Sequence, residues 1–391
     1  MKNSYVRALA LIAVAITLAS LMPLSRAQTS DYAVSFLVQN KPDGDITYEL
    51  KITIPASLYQ YYASRGGLIF SEADFAKFVT PDALKPVADQ LWSISNTSED
   101  FANAVLMIVH QITYQEVIPT EYPIQTLGDG KGDCDLFALT AASILEAGGI
   151  NTVLIYYKDK LHMEIGVQLP QAPVEGRVNV YSVTYQNSSY YIGETTGGAW
   201  RTGWRIGECP QDYQGISALV IPLQSHEQPS IGQVSATIRE LPHSTVTLQA
   251  SSGLMLENNQ VTISGQILPE AANENVTLKA KINSDTWTDI GTVLTQAEGR
   301  FEYTWMPPAG FITVQASWVG NNQLNGARSG EANVTVLPMF VIGVIGTSVL
   351  AIAVVAVAVI RSKHKKHELT PPSTPVPQMP TEPPPPSTIT T

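Results

Sequence analysis

The rhythm of apolar and polar positions changes several times along this chain, and each change predicts a different kind of element. Residues 46–54 alternate strictly: Ile46, Tyr48, Leu50, Ile52 and Ile54 are apolar and the residues between them mostly polar. Period two is the signature of a strand with one buried face. A similar run at 32–38 and the turn chemistry of Lys41-Pro42-Asp43-Gly44-Asp45 make the pair a hairpin. From Ser71 the texture turns helical, with helices expected over 72–79, 81–95 and 98–111. The second carries proline in its first turn, and Ser98-Glu99-Asp100 offers a cap for the third.

The densest helical stretch follows Gly132-Asp133-Cys134-Asp135, where an Ala/Leu-rich run ends in Gly148-Gly149. Asp133 stands where an N-cap would, and either glycine can take the left-handed residue beyond the last turn. Period two then returns. Residues 152–157 are almost wholly apolar; in 161–169, Leu161, Met163, Ile165, Val167 and Leu169 share one face and His162, Glu164, Gly166 and Gln168 the other. Strands at 178–185 and 190–194 follow. A helical half followed by antiparallel strands is an α+β arrangement. From about Ile231 short alternating runs recur at 244–249, 260–267, 275–282, 300–305, 311–318 and 332–337, the spacing of a β-sandwich. That region has no cysteine and no cluster of His or paired carboxylates, so its expected role is a stalk or an adhesive module.

The ends read differently. Residues 1–27 have the form of a secretory signal: Lys2 and Arg7, an apolar stretch over 8–21, and Ser25-Arg26-Ala27 as a cleavage site. An uncleaved anchor is the alternative reading. Residues 339–360 carry no charge and are followed by Arg361-Ser362-Lys363-His364-Lys365-Lys366, which predicts a single transmembrane helix retained in the bilayer. On this reading residues 28–338 lie outside the cell and the proline-rich tail of 361–391 inside. Four sequons fit that location, at Asn96, Asn187, Asn275 and Asn333. With a net charge of -11 and a pI near 5.0 the chain is no nucleic-acid binder. The expected partners are a protein or peptide substrate outside the cell and the lipid bilayer through 339–360.

The candidate chemistry centres on Cys134. On the first turn of a helix the unpaired N–H groups and the macrodipole favour an anion, which stabilises a thiolate. A thiol nucleophile needs an imidazole to take its proton and a polar group to orient that imidazole. His162 lies one helix and one strand later, on the polar face of its strand; the plain alternative is a surface histidine. Glu194 closes a neighbouring strand and can accept from the second ring nitrogen, or can be an ordinary solvated glutamate. For an oxyanion, the Cys134 backbone N–H needs a second donor, with Gln125 and Tyr122 as candidates. Asp133 and Asp135 would oppose a thiolate if turned towards it, and act as caps if turned away. No cofactor is expected, and no metal, because the histidines lack ligand spacing. The competing reading is a Cys134–Cys209 disulfide, since the two cysteines are an even count in an exported chain.

Taken together, Gly132-Asp133-Cys134-Asp135, the Gly148-Gly149-Ile150 corner, Leu161-His162-Met163-Glu164, and the strand running from Tyr190 to Thr196 resemble the transglutaminase-like superfamily, a branch of the papain-like cysteine enzymes. Glu194-Thr195-Thr196 stands where that family usually has Asp-Pro-Thr. Tyr122-Pro123-Ile124-Gln125-Thr126-Leu127 and Trp204-Arg205-Ile206-Gly207-Glu208-Cys209-Pro210 match its exported prokaryotic members. The later sandwich resembles prokaryotic immunoglobulin-like repeats. The resemblance implies acyl transfer or hydrolysis on peptide or amide substrates through Cys134, His162 and Glu194. It divides the chain into a signal (1–27), a hairpin region (28–70), a transglutaminase-like domain (71–225), a sandwich (231–337), a membrane helix (339–360) and a tail (361–391). The alternative is a domain that keeps the fold but binds, adheres or scaffolds without turnover.

Overall fold

The computed structural model describes residues 30–367 except 45, 225 and 228, with the side chains of 341–349 and 364–367 left out. The expected signal at 1–27 and most of the tail lie outside the described residues.

The hairpin forms as its alternation requires. Strands β1 (Tyr32–Gln39) and β2 (Thr47–Ile54) pair antiparallel, Phe36 opposite Leu50 and Val34 opposite Ile52. Leu50, Ile52 and Ile54 are fully buried. They do not form a separate unit, because their core is continuous with that of the helices that follow. These are α1 (Ala56–Ala63), α2 (Pro81–Trp92), α3 (Ser98–Val109), the short α4 (Pro123–Asp129) and α5 (Cys134–Ala147). Between them lie two-residue strands, β3 (Thr113–Tyr114) and β4 (Lys131–Gly132), paired in parallel. Thr97 caps α3, accepting from Asp100 N while the Asp100 carboxylate accepts from Thr97 N.

Helix α5 is the axis of the domain. Every residue from Leu136 to Leu145 is buried, which is why its sequence reads as apolar all round rather than as a stripe. Gly149, with φ of 79°, takes the left-handed position beyond its end. The helix lies on a five-stranded antiparallel sheet in which β5 (Thr152–Tyr157), β6 (His162–Val167), β7 (Ser182–Tyr185), β8 (Ser188–Gly193) and β9 (Leu219–Pro222) run in the order β7-β8-β6-β5-β9. Leu154, Met163, Ile165 and Val167 face the helices. Val153, Ile155 and Tyr157 face the other way, into a smaller cluster with Tyr190, Ile192 and Cys209, covered by Tyr213, Ile216 and Val220. The sheet is therefore buried on both faces, and the polar face of β6 is not a solvated one. Chain 209–220 folds back over it.

Strand β10 (Ser235–Glu240) falls within the region expected to form the sandwich, yet it completes the N-terminal sheet by pairing with β2, Ile238 opposite Leu50. The sandwich proper begins at β11 (Thr245–Ala250) and continues with β12 (Leu254–Leu256), β13 (Val261–Leu268), β14 (Asn275–Ile282), β15 (Thr288–Leu294), β16 (Arg300–Trp305), β17 (Gly310–Gly320), β18 (Asn325–Arg328) and β19 (Ala332–Leu337). One sheet is β11-β13-β16; the other is β12-β19-β17-β14-β15 with β18 on β17. Alternate residues of both fill its core, around the buried Trp318. Asn325 ties it to the first domain: Oδ1 accepts from Thr47 N at 2.7 Å and Nδ2 donates to Leu241 O at 2.9 Å. The four sequon asparagines, Asn96, Asn187, Asn275 and Asn333, are all exposed.

The expectation at the C-terminus needs correction. A helix, α6 (Met339–His367), is present, but among the described residues no helix is long and apolar enough to cross a membrane. The single-pass span at 339–360 and the membrane localisation are overturned. The α+β architecture stands.

Candidate active site

Cys134 is the first residue of α5, and three backbone features put it there. Gly130 turns the chain with φ of 64°. At Gly132 a Cβ would come within 3.1 Å of both Leu136 and Phe137, so the backbone can press against the helix only as glycine. Asp133, in extended conformation, then opens the helix. Its carboxylate makes no capping hydrogen bond, contrary to the sequence expectation; it accepts from Val117 N at 3.0 Å and so anchors the preceding loop. The β3–β4 pairing sets Tyr114 opposite Gly132. Burial, and then the negative charges of Cys134, Asp133 and Asp135, push the Tyr114 phenol above its ordinary pKa.

The thiol lies 3.7 Å from the carbonyl oxygen of Leu161. Leu161 was expected on the apolar face with Met163. It instead takes the left-handed conformation, φ 48°, at the end of the turn over 158–160, and its side chain is exposed. That turn delivers His162 to the first position of β6, where it adjoins the Cys134 thiol and is only 7% exposed. Its Nε2 lies 2.8 Å from Glu194 Oε2. Nδ1 is then the nitrogen left for the thiol, which fixes the direction of the relay. Glu194 directly follows β8, is 1% exposed, and its other oxygen accepts from both the N–H and the hydroxyl of Thr196, each at 2.6 Å. The three predicted residues are brought together. Burial pulls the His162 pKa down, but the ring's interactions with Cys134 and Glu194, to which its N–H groups donate, outweigh it and raise the ring to about 10. Burial raises Glu194, yet the His162 and Thr196 hydrogen bonds prevail and hold it below the ordinary glutamate value.

No family model matches this chain, and no curated protein matches it. Among solved structures it is similar to red sea bream transglutaminase, at 11% identity over 75% of this chain and 70% of that one, with a TM-score of 0.22. The PKD domain of human KIAA0319 aligns at 15% identity over 25% of this chain and 84% of its own, TM-score 0.18. A chitin binding domain from Burkholderia pseudomallei aligns at 12% identity and TM-score 0.19 over 22% of this chain, which spans 57% of that domain's length. The transglutaminase is a weak structural neighbour over three quarters of the chain, and the PKD domain a weak neighbour over one quarter. The chemistry rests on the geometry above.

Several residues around the triad were not singled out from sequence. The Tyr213 ring lies flat on the His162 ring, 4.3 Å between centroids and 5° between planes. Nothing in the sequence signals this, because the stack is made by a short turn over 211–213. Glu164, fully buried, accepts from Tyr157 O–H at 3.1 Å. Its position two residues beyond His162 on an alternating strand was a usable signal. Burial and the neighbouring Glu194 raise the Glu164 pKa to about 9, so this second carboxyl is held protonated. His162, Glu164 and Glu194 are also the group whose donor atoms could close on a metal ion, all within 4.8 Å of one another.

Gln125 and Tyr122, the expected oxyanion donors, are placed in the buried start of α4. Gln125 Oε1 accepts from Tyr122 N at 3.2 Å, and the Tyr122 ring packs against Tyr62, Phe78 and Arg65. Both cysteines are free. Cys209 is buried, and burial with the charges of Glu164 and Glu194 pushes its thiol up to about 12. Such a thiol is unreactive at neutral pH.

Asp133 and Asp135 answer the question of repulsion. Burial, then the hydrogen bond that protonated Asp135 donates to Asp133 and the charge of Asp133, raise the Asp135 pKa to about 8. The pair therefore shares one proton and carries one charge beside the thiol instead of two. A carboxyl whose folded pKa lies above its unfolded value of about 3.9 holds its proton only in the folded chain across that window, so stability falls as pH rises through it. Asp135→Asn, whose amide replaces the shared proton, is expected to add on the order of 1–2 kcal/mol at pH 9 and almost nothing at pH 4. Urea unfolding of both chains at the two pH values checks this.

Proposed function

We propose that this protein is a thiol-dependent acyltransferase or hydrolase acting on amide or ester bonds of protein or peptide substrates. The observation that carries the reading is His162, buried between the Glu194 carboxylate at 2.8 Å and the Cys134 thiol. A buried, hydrogen-bonded imidazolium–carboxylate pair with a thiol on the free ring nitrogen is costly to assemble and has little structural use. The ring takes the thiol proton on Nδ1, and Glu194 stabilises the charge that results. Sγ attacks the carbonyl carbon, and the developing oxyanion accepts from the Cys134 backbone N–H, which no helical carbonyl partners at this first position. His162 returns the proton to the leaving amine or alcohol, and a thioester remains on Cys134. Water or an amine then adds to the thioester, giving its proton to His162 as it does so.

An activated ester tests this without knowledge of the natural substrate. Mixing the chain with 4-nitrophenyl acetate is expected to release one equivalent of nitrophenolate per chain in a burst and to leave an acetyl group on Cys134 by mass mapping. Cys134→Ala is expected to show neither. A wild-type chain with no burst and no acetylated Cys134 would retire the enzyme reading in favour of a binding module.

A further inference from the structure

A triad needs one carboxylate behind its histidine, and this site has two. Glu164 lies two residues beyond His162 on β6, on the same side of the sheet, and is fully buried. Tyr157 holds its Oε2. Its Oε1 receives no N–H or O–H donor and lies 3.9 Å from His162 Nε2. Glu194 is arranged in the same way: Thr196 holds Oε1, and Oε2 turns to the same nitrogen. One imidazole nitrogen and two carboxylate oxygens thus converge within 4.8 Å, each carboxylate anchored through its far oxygen. Two buried carboxylates face to face are tolerated only with a proton or a cation between them.

We propose that His162, Glu164 and Glu194 form a binding site for a first-row divalent cation such as Zn²⁺, and that its occupation switches the thiol chemistry off. One imidazole and two carboxylates suit such an ion. Ca²⁺ would want six or more oxygens, and the far oxygens here are already engaged. The hydroxyls of Tyr157 and Thr196 and the Thr196 N–H are the outer partners that orient such ligands. Binding requires His162 Nε2 and both carboxyl groups free of protons, and any they hold pass to solvent. An imidazole bound through Nε2 keeps its remaining proton on Nδ1, the nitrogen that faces Cys134, and so has no place for the thiol's proton. This off-switch rests on the function proposed above; the cation site does not. Tyr213, which stacks on the His162 ring, is only half-buried.

Equilibrium dialysis of the metal-free full-length chain against micromolar Zn²⁺ tests the site, and iodoacetamide labelling of Cys134 with and without Zn²⁺ tests the switch. The expected result is one Zn²⁺ per chain, retained in Cys134→Ala, with affinity lowered at least about tenfold in Glu164→Gln and about tenfold in Tyr157→Phe. Labelling is expected to slow by about tenfold or more on adding Zn²⁺ to the wild type, and not in Glu164→Gln. No stoichiometric Zn²⁺, binding equal in wild type and both variants, or binding lost in Cys134→Ala would overturn the site. Stoichiometric binding with labelling that depends on neither Zn²⁺ nor His162 would keep the site and overturn the switch, along with the thiol chemistry.

Discussion

His162→Ala is expected to lower the rate of Cys134 acetylation by 4-nitrophenyl acetate about 1,000-fold while leaving the chain folded. The ring adjoins Cys134 and bonds to Glu194 at 2.8 Å, so it is the group placed to take the thiol's proton. Alanine leaves Glu194 buried without its cationic partner. Two features limit the damage to stability. Thr196 still holds one oxygen of Glu194 by two hydrogen bonds, and the protonated Glu164 can donate to the other. A circular-dichroism melt alongside the burst assay separates lost chemistry from lost fold. A variant that melts normally and still acetylates at the wild-type rate would remove His162 from the mechanism.

The second large effect is at Glu194. Glu194→Ala strips a 1%-exposed carboxylate from a buried imidazolium and is expected to cost about 3–5 kcal/mol of stability and at least about 100-fold in acetylation rate. Glu194→Gln keeps an oxygen for the ring to donate to but removes the charge. It is expected to cost less than about 2 kcal/mol and to retain more activity than alanine. With Glu194 neutral, the chief electrostatic cause of the raised Glu164 pKa is gone, so Glu164 itself ionises more readily and becomes the nearest anion to the ring. Partial rescue in glutamine but not alanine is the signature of an orienting carboxylate; equal loss in both would point to a purely structural role.

Much of this was legible in the sequence because it is encoded locally. The alternation at 46–54 produced β2, and the Ala/Leu run between Asp133 and Gly149 produced α5. Six of the sandwich strands fall within about two residues of their expected bounds, since a half-buried strand shows its period in its own residues. Cys134, His162 and Glu194 were legible for the same reason: each sits at an element terminus marked by its neighbours. What escaped depends on distant partners. Helix α1 has no side-chain cap, α4 is a seven-residue turn behind Pro123, and β10 pairs with β2 from almost two hundred residues away. The covered face of β6 could not be foreseen because its cover, residues 209–220, has no apolar rhythm of its own. That cover changes the meaning of His162, from a histidine on an open strand to a buried one between two carboxyl groups. The apolar run near the C-terminus shows the opposite failure. Its composition suggested a bilayer span that no helix of the described residues is long and apolar enough to make.

The most direct test of the central claim is the rate of iodoacetamide labelling at Cys134 against pH. With His162 kept protonated up to about 10 by its interactions with Cys134 and Glu194, the paired thiolate is predicted to label at a nearly level rate from about pH 6 to pH 9, with Cys209 silent and the plateau gone in His162→Ala. Labelling that begins only near pH 8.5, about where an ordinary thiol ionises, and is the same in His162→Ala would contradict it.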